Sequence, residues 1–295
     1  MLSIKHLRKS YGATNALKNI SIDFNEGSCF GLIGPNGAGK STLMKILVGI
    51  IERDEGIIKS KHTKKEIGYV PQELCLEENV SALQNLLFFG KLYHLKGTAL
   101  KKRAEEVLDS VGLTERKKDK VKTFSGGMKR RLNIGCALMN NPRLIIMDEP
   151  TVGIDPQSRQ FILKMVEQMK KENRTIIYST HYIEEAEKVC DEVAFIDKGE
   201  IVQQDSIEDL LRNHAIPSIY FKLQEPYEKQ LDIHTFGDVE AYKNGYMLST
   251  KNPMLTMENM LQISKEKKVI FEHFELMQPR LEDVFFKITG TELRA

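Results

Sequence analysis

One stretch of the chain decides its interpretation, Gly34-Pro35-Asn36-Gly37-Ala38-Gly39-Lys40-Ser41. It matches the pattern G-x-x-x-x-G-K-[ST] and lies between an apolar run at 29–33 and a predicted helix at 40–49. Glycines in such a loop let successive backbone N–H groups surround phosphate oxygens, and the helix that follows directs its positive end at them. Lys40 adds a full charge, and Ser41 adds a hydroxyl group that suits Mg²⁺. We therefore predict a phosphate-binding loop; a glycine-rich turn without a ligand is the alternative.

The composition is that of an ordinary globular protein and excludes other classes. Of 295 residues, 41% are hydrophobic and 28% are charged, and the net charge of +2 is too small to predict nucleic-acid binding. No apolar run approaches the ~18 residues of a membrane span, and the amino terminus lacks the apolar segment of a signal peptide. We expect a cytoplasmic protein that acts at a membrane only through a partner. Its four cysteines are predicted to be reduced core thiols: Cys29, Cys75, Cys136 and Cys190.

The pattern of apolar segments changes at about residue 214. Before that point short apolar runs alternate with amphipathic segments, which predicts an α/β domain with a largely parallel sheet and helices at 40–49, 80–94, 100–111, 126–139, 157–172 and 182–189. After it the elements are shorter, and Lys243-Asn244-Gly245-Tyr246 has the composition of a type I′ hairpin turn. We predict two domains, residues 1–214 and a small α+β domain at residues 215–295, with helices near 255–264 and 280–288.

Two carboxylates, Asp148 and Glu149, follow the apolar run Leu144–Met147. Ligands of open α/β sheets bind at the carboxyl ends of strands. Hydrolysis of a nucleoside triphosphate needs one carboxylate to hold Mg²⁺ and one to orient and polarise the attacking water. We assign Asp148 to the metal and Glu149 to the water; the alternative is that the pair only caps the turn at Pro150. The chain has no N-K-x-D guanine reader and no H-R-D motif of a protein kinase.

Several further motifs are weak when each is taken alone. They are Tyr11, Gln72 after Tyr69-Val70-Pro71, the segment Phe124-Ser125-Gly126-Gly127-Met128-Lys129, Gly153-Ile154-Asp155, and His181 after Ser179-Thr180. Their order along residues 1 to about 214 resembles that of the ABC transporter ATPase family, which places its signature motif at Phe124–Lys129 and an aromatic side chain for adenine at Tyr11. The chain departs from the family pattern at Met128, where glutamine is usual, and at Phe124, where leucine is usual. Ser125 and the two glycines remain, so we expect activity to survive, with the rate of hydrolysis left open.

The resemblance implies a P-loop NTPase domain of the ABC type, with a mixed sheet core, an antiparallel subdomain and a helical subdomain. It further implies that two subunits pack head to tail around ATP, each signature completing the phosphate loop of the other. Ser125, at the start of a helix with two glycines, is by itself a reasonable anion site. The predicted catalytic residues are Glu149, His181, Gln72 and Lys40. The predicted nucleotide contacts are Tyr11, Gly34, Pro35, Asn36, Gly37, Ala38, Gly39, Lys40, Ser41, Thr42, Ser125, Gly126, Gly127 and Asp155, and the predicted Mg²⁺ site consists of Ser41, Gln72 and Asp148.

The carboxy-terminal segment carries a second resemblance. Pro279-Arg280-Leu281-Glu282-Asp283-Val284-Phe285 is similar to the ending of exporter ATPases that serve separate membrane subunits of the ABC-2 type; an amphipathic helix with an acidic first turn is the alternative. The leading prediction is an exporter ATPase on the inner face of the cell membrane, paired with a membrane-spanning subunit and with a second copy or a close paralogue. In the family the apolar segment 74–95 meets the membrane subunit. The alternatives are an importer ATPase and a non-transport ABC ATPase acting on nucleic acid or ribosomes.

Overall fold

The computed structural model describes residues 2–214, 216–224 and 233–289. Within these ranges the chain forms two compact units, one extending to Ile207 and taking in 288–289, the other spanning Glu208–Lys287. The predicted domain boundary at 214/215 lies near the division between the units, and its assignment as a functional boundary stays a prediction. Residues 215, 225–232 and 290–295 of the predicted second domain lie outside the described residues.

A six-stranded mixed sheet forms the centre of the first unit. Its strands are β3 (Cys29–Ile33), β5 (Ile67–Val70), β6 (Leu144–Asp148), β7 (Thr175–Thr180), β8 (Glu192–Asp197) and β9 (Glu200–Ser206), in the spatial order β5-β6-β7-β3-β8-β9. All neighbouring pairs are parallel except β8 and β9. Every residue of β3, β6 and β7 is buried, as expected for strands covered on both faces.

The strand register brings three chain positions to one edge of this sheet. Asp148, the last residue of β6, pairs with Ser179 of β7, and Thr180 pairs with Ile33 at the end of β3. Since these strands are parallel, their carboxyl ends open onto the same side. The phosphate loop after Ile33, the carboxylates after Met147 and the histidine after Thr180 therefore meet in space.

A second sheet of the first unit is antiparallel. It consists of β1 (Leu2–Tyr11), β2 (Thr14–Phe24) and β4 (Glu55–Ser60), in the order β2-β1-β4. Apolar residues alternate with polar ones along β1 and β2, and the apolar face joins the core that also holds α1 (Lys40–Leu47) and the central strands. Ile4, Leu7 and Ile20 are at most 1% exposed in this core.

The remaining helices of the first unit lie within a few residues of their predicted positions. They are α2 (Ala82–Leu92), α3 (Gly97–Ser110), α4 (Gly126–Leu138), α5 (Pro156–Lys171) and α6 (Ile183–Val189). Helix α2 begins at a capping box, in which Ser81 and Gln84 each accept a hydrogen bond from the other's backbone N–H. No described helix is both long enough and apolar enough to cross a membrane. Cys75 is exposed, so the prediction that all four cysteines lie in the core was wrong for it.

The second unit is a small α+β fold. A four-stranded antiparallel sheet, in the order β11-β12-β10-β13, is formed by β10 (Ser218–Leu223), β11 (Asp238–Tyr242), β12 (Gly245–Ser249) and β13 (Phe271–Met277). It is accompanied by α8 (Pro253–Lys267) and by most of α7 (Ile207–His214) and of α9 (Leu281–Thr289). The predicted hairpin is present, but its two-residue turn is Lys243-Asn244 and Gly245 already belongs to β12. A Cβ atom on Gly245 would lie 2.5 Å from the carbonyl oxygen of Phe221, so packing against β10 explains this glycine.

Candidate functional site

The phosphate loop turns at Gly39, directly before α1. Its φ angle is +108°, and a Cβ atom at this position would lie 2.6 Å from the carbonyl oxygen of Ala16. Both the conformation and the close approach of β2 therefore require glycine. The next residue, Lys40, is 4% exposed, and its Nζ donates to the carbonyl oxygens of Gly34 at 2.7 Å and Pro35 at 3.1 Å. The loop thus encloses a buried ammonium group at a helix N-terminus.

Glu149 is the point on which the predicted catalytic side chains converge. Its Oε1 lies 3.1 Å from Nζ of Lys40 and 3.4 Å from Nδ1 of His181, and its Oε2 accepts a hydrogen bond of 3.3 Å from Nε2 of Gln72. The backbone of Glu149 is left-handed, with φ of 47°, a conformation uncommon outside glycine and often found at functional positions. Ser179 stabilises it by accepting the Glu149 N–H at 3.0 Å.

The other carboxylate, Asp148, faces the start of α1. Its Oδ1 accepts hydrogen bonds from the hydroxyl groups of Ser41 at 3.1 Å and Ser179 at 2.8 Å. Burial raises the pKa of Asp148, although the two hydroxyl donors and Lys40 act in the opposite direction. No cluster of three or more His, Cys, Asp or Glu side chains suited to a metal occurs among the described residues. A carboxylate, a hydroxyl and an amide oxygen nevertheless fit Mg²⁺, which takes one or two protein oxygen ligands beside phosphate and water.

A cavity of about 570 Å³ adjoins the phosphate loop and the side chain of Glu149. Of the predicted residues, its lining includes Asn36, Gly37, Gly39, Lys40, Ser41, Thr42, Gln72 and Glu149. Tyr11 does not line it and is 47% exposed on β1. The sequence interpretation missed five further lining residues, Thr14, Asn15, Ala16, Lys18 and Lys198. They come from β2 and the β8–β9 turn, and no motif marks them.

The signature residues lie away from this cavity. Ser125 caps α4 by accepting the Met128 N–H at 3.2 Å, and both Ser125 and Gly126 are exposed. A Cβ on Gly126 would meet only the carbonyl oxygen of Gly153 at 3.9 Å, whereas one on Gly127 would lie 1.9 Å from Oγ of Ser158. Close packing against Ser158 therefore explains why residue 127 is glycine, whereas no internal packing contact among the described residues requires glycine at position 126. Asp155 is also exposed and caps α5, and its hydrogen bonds with Ser158 lower its pKa.

Arg130 is a site-adjacent residue that the sequence interpretation missed. It is 7% exposed, and its guanidinium donates to the carbonyl oxygens of Gln72 at 2.6 Å, Pro71 at 3.4 Å and Val152 at 3.5 Å. Burial lowers the pKa of Arg130, and the nearby Glu149 carboxylate opposes that shift. One side chain of α4 thus joins the backbone around Gln72 to the turn that follows Glu149.

A mostly parallel sheet with a phosphate loop after β3 and two adjacent carboxylates at the carboxyl end of β6 defines a P-loop nucleoside triphosphatase. Residues 17–152 match the family model described as ABC transporter. The chain is 49% identical to the linearmycin resistance ATP-binding protein LnrL of Bacillus subtilis, over 100% of both chains. It is 30% identical to the Nod factor export ATP-binding protein I of Ralstonia nicotianae, over 100% of this chain and 95% of the relative.

Solved structures give the same result. The dimeric structure of MJ0796, a bacterial ABC transporter cassette, superposes with a TM-score of 0.65 and 26% identity, covering 70% of this chain and 99% of the cassette. A post-hydrolysis dimer of MJ0796 with bound ADP and Pi superposes equally well. The chain therefore belongs to the ATP-binding proteins of ABC transporters. It binds and hydrolyses ATP as the ATP-binding subunit of an exporter-type transporter, which confirms the prediction of an exporter ATPase.

Proposed function

We propose that Lys40, Gln72, Glu149 and His181 form the hydrolytic site of this subunit. The observation that supports the proposal is the convergence of three side chains on the Glu149 carboxylate within 3.4 Å. Glu149 orients and polarises the attacking water, because its carboxylate lines the cavity and can accept a proton from a water molecule there. Lys40 and the loop N–H groups bind the phosphates, and His181 stabilises charge that develops on the γ-phosphate.

Magnesium belongs to the same proposal. Ser41, Asp148 and Gln72 would hold the ion, and when bound it neutralises charge on the phosphate oxygens. In the structure Ser41 and Ser179 fix the Asp148 carboxylate by donating to one of its oxygens. The second oxygen of Asp148 remains available for a cation.

The signature residues are proposed to act on the nucleotide of a second copy. Subunits of this family dimerise, as MJ0796 does. Support comes from the exposed N-terminus of α4, where Ser125 caps the helix and Gly126 leaves room for an approaching ligand. Tyr11 is proposed to stack on adenine, and Asp155 to contact the nucleotide.

The membrane-spanning partner is proposed to contact α2 and the loop before it. Subunits of this family pair with such partners. Phe88 is 59% exposed, Leu92 57% and Leu74 40%, whereas Leu86 on the opposite face is fully buried. An apolar surface of this kind marks an interaction site. We therefore propose that the subunit acts at the cytoplasmic face of a membrane. The name of the linearmycin resistance relative supports a drug-like compound as the exported substrate, and residues 215–295 are proposed to have an accessory role.

The test of the hydrolytic site is Glu149→Gln beside Glu184→Gln, a matched control at an exposed position of α6. Loss of a positioned general base lowers turnover by about 10² to 10⁴. We expect that loss in steady-state ATP hydrolysis for Glu149→Gln and wild-type turnover for Glu184→Gln. A Glu149→Gln turnover within a few-fold of wild type would refute the assignment.

A further inference from the structure

A buried carboxylate that has no assigned role lies behind the catalytic site. Glu185 is 2% exposed, and its Oε2 accepts three hydroxyl hydrogen bonds, from Thr151 at 2.7 Å, Tyr178 at 2.9 Å and Thr180 at 3.2 Å. A carboxylate is rarely buried unless it is fully engaged. Burial and the neighbouring Glu185 carboxylate raise the pKa of Tyr178, so this phenol stays a donor.

The hydroxyl donors lie on the two segments that carry the catalytic residues. Thr151 is two residues beyond Glu149, in the turn after β6, and is fully buried. Thr180 is the last residue of β7 and directly precedes His181. A single oxygen atom of Glu185 therefore fixes the Glu149 turn relative to the histidine.

The second oxygen of Glu185 faces a different element. Oε1 lies 3.4 Å from Nε of Arg159, without a hydrogen bond at either atom. Arg159 lies in the first turn of α5, where its N–H donates to the carbonyl oxygen of Asp155, the residue that caps this helix. The guanidinium also lies 4.7 Å from the ring centre of Tyr182, and that ring is 4.2 Å from the imidazole of His181.

We propose that Glu185 is a positioning residue that links the Asp155 cap of α5 to the geometry of Glu149 and His181. A shift of α5 moves Arg159 and so changes its ionic contact with Oε1 of Glu185. The Glu185 carboxylate then moves Thr151 and Thr180, because both donate hydrogen bonds to Oε2. The proposal rests on the proposed roles of Glu149, His181 and Asp155. Its physical basis is that catalytic geometry is sensitive to displacements of about 1 Å, which can cost ~10²-fold in rate.

The main test compares Glu185→Gln with Glu184→Gln. Glutamine keeps the size and one acceptor oxygen for the hydroxyl donors but removes the charge that faces Arg159. We expect kcat for ATP to fall about 10- to 100-fold, with KM for ATP within about twofold and the thermal midpoint close to that of wild type. A residue that only stabilises the fold would change the thermal midpoint and KM together with kcat, and that result would overturn the proposal.

A second variant keeps the proposal open to refutation if Glu185→Gln folds poorly. Arg159→Gln removes the other partner at a side chain that is 35% exposed, so folding tolerates it better. We expect a similar kcat loss, and in the double variant a loss no larger than in either single variant, because the two groups act through one contact. Additive losses, or an Arg159→Gln kcat within about twofold of wild type, would contradict the link. Failure of the hydrolytic site itself is recognised separately, by an active Glu149→Gln variant.

Discussion

The ammonium group of Lys40 lies 3.1 Å from Oε1 of Glu149, and the two side chains are 4% and 5% exposed. This ion pair joins the residue proposed to bind phosphate to the residue proposed to act on water. An ATP phosphate that enters the loop must compete with Glu149 for the same ammonium group. The carboxylate proposed to accelerate hydrolysis is therefore expected to weaken nucleotide binding.

Glu149→Gln is accordingly expected to bind ATP at least as tightly as wild type. The amide still accepts a hydrogen bond from Lys40 but no longer neutralises its charge, and it does not repel phosphate. Lys40→Met should lose ATP binding and also stability, since removing one partner of a buried ion pair costs about 3 to 5 kcal/mol. Equilibrium titration with ATP measures both effects. A Kd for Glu149→Gln raised more than about threefold would contradict the competition.

The same variant is expected to accumulate as an ATP-bound dimer, because the nucleotide between the two copies is no longer cleaved. Light scattering with saturating ATP and Mg²⁺ should report twice the mass of the chain. Lys40→Met/Glu149→Gln is the control and should stay monomeric. Only monomer for Glu149→Gln at saturating ATP would count against the proposed sandwich.

The two signature glycines are expected to respond differently to alanine. At Gly127 the new Cβ meets Ser158, and overpacking of this kind costs about 1 to 3 kcal/mol, so the thermal midpoint should fall. At Gly126 the Cβ makes only an ordinary contact of 3.9 Å with the carbonyl oxygen of Gly153, so Gly126→Ala should keep the wild-type midpoint but lose ATP-driven dimerisation. Ser158→Gly should rescue the stability of Gly127→Ala. Equal losses of stability at both positions would show that Gly126 is also a packing residue.

Arg130→Met is expected to loosen the backbone on both sides of the cavity. It leaves the carbonyl oxygens of Gln72 and Val152 without their guanidinium donor, and an unsatisfied buried acceptor costs about 1 to 3 kcal/mol. Amide hydrogen exchange should accelerate around residues 70–74 and 150–154 together. Arg131→Met, which releases the carbonyl oxygen of Val111 instead, should leave both segments protected. Faster exchange in one segment only would contradict a shared restraint.

Much of the site could be predicted because its residues follow short buried strands. Apolar runs in the sequence predicted β3 and β6. The parallel register of the strands then places the phosphate loop and the two carboxylates at one edge of the central sheet. Arg130 and Glu185 could not be predicted, since charged residues are usually exposed, and the contacts of Arg130 with Gln72 and of Glu185 with Thr151 span 58 and 34 residues of the chain. In the second unit the hairpin was predicted but the role of Gly245 was not, because a contact with Phe221 explains this glycine and the turn itself does not.

The surface of α2 provides the last prediction. Phe88 and Leu92 are four residues apart and share one exposed face, whereas Leu86 points into the core. Phe88→Ser should therefore keep the thermal midpoint and the ATP turnover of the isolated subunit, and yet lose co-purification with the membrane-spanning subunit. Leu86→Ala is the contrasting variant and should lose about 2 to 5 kcal/mol of stability through the cavity it creates. If Phe88→Ser co-purified with its partner as well as wild type does, the exposed face of α2 would not be the docking surface.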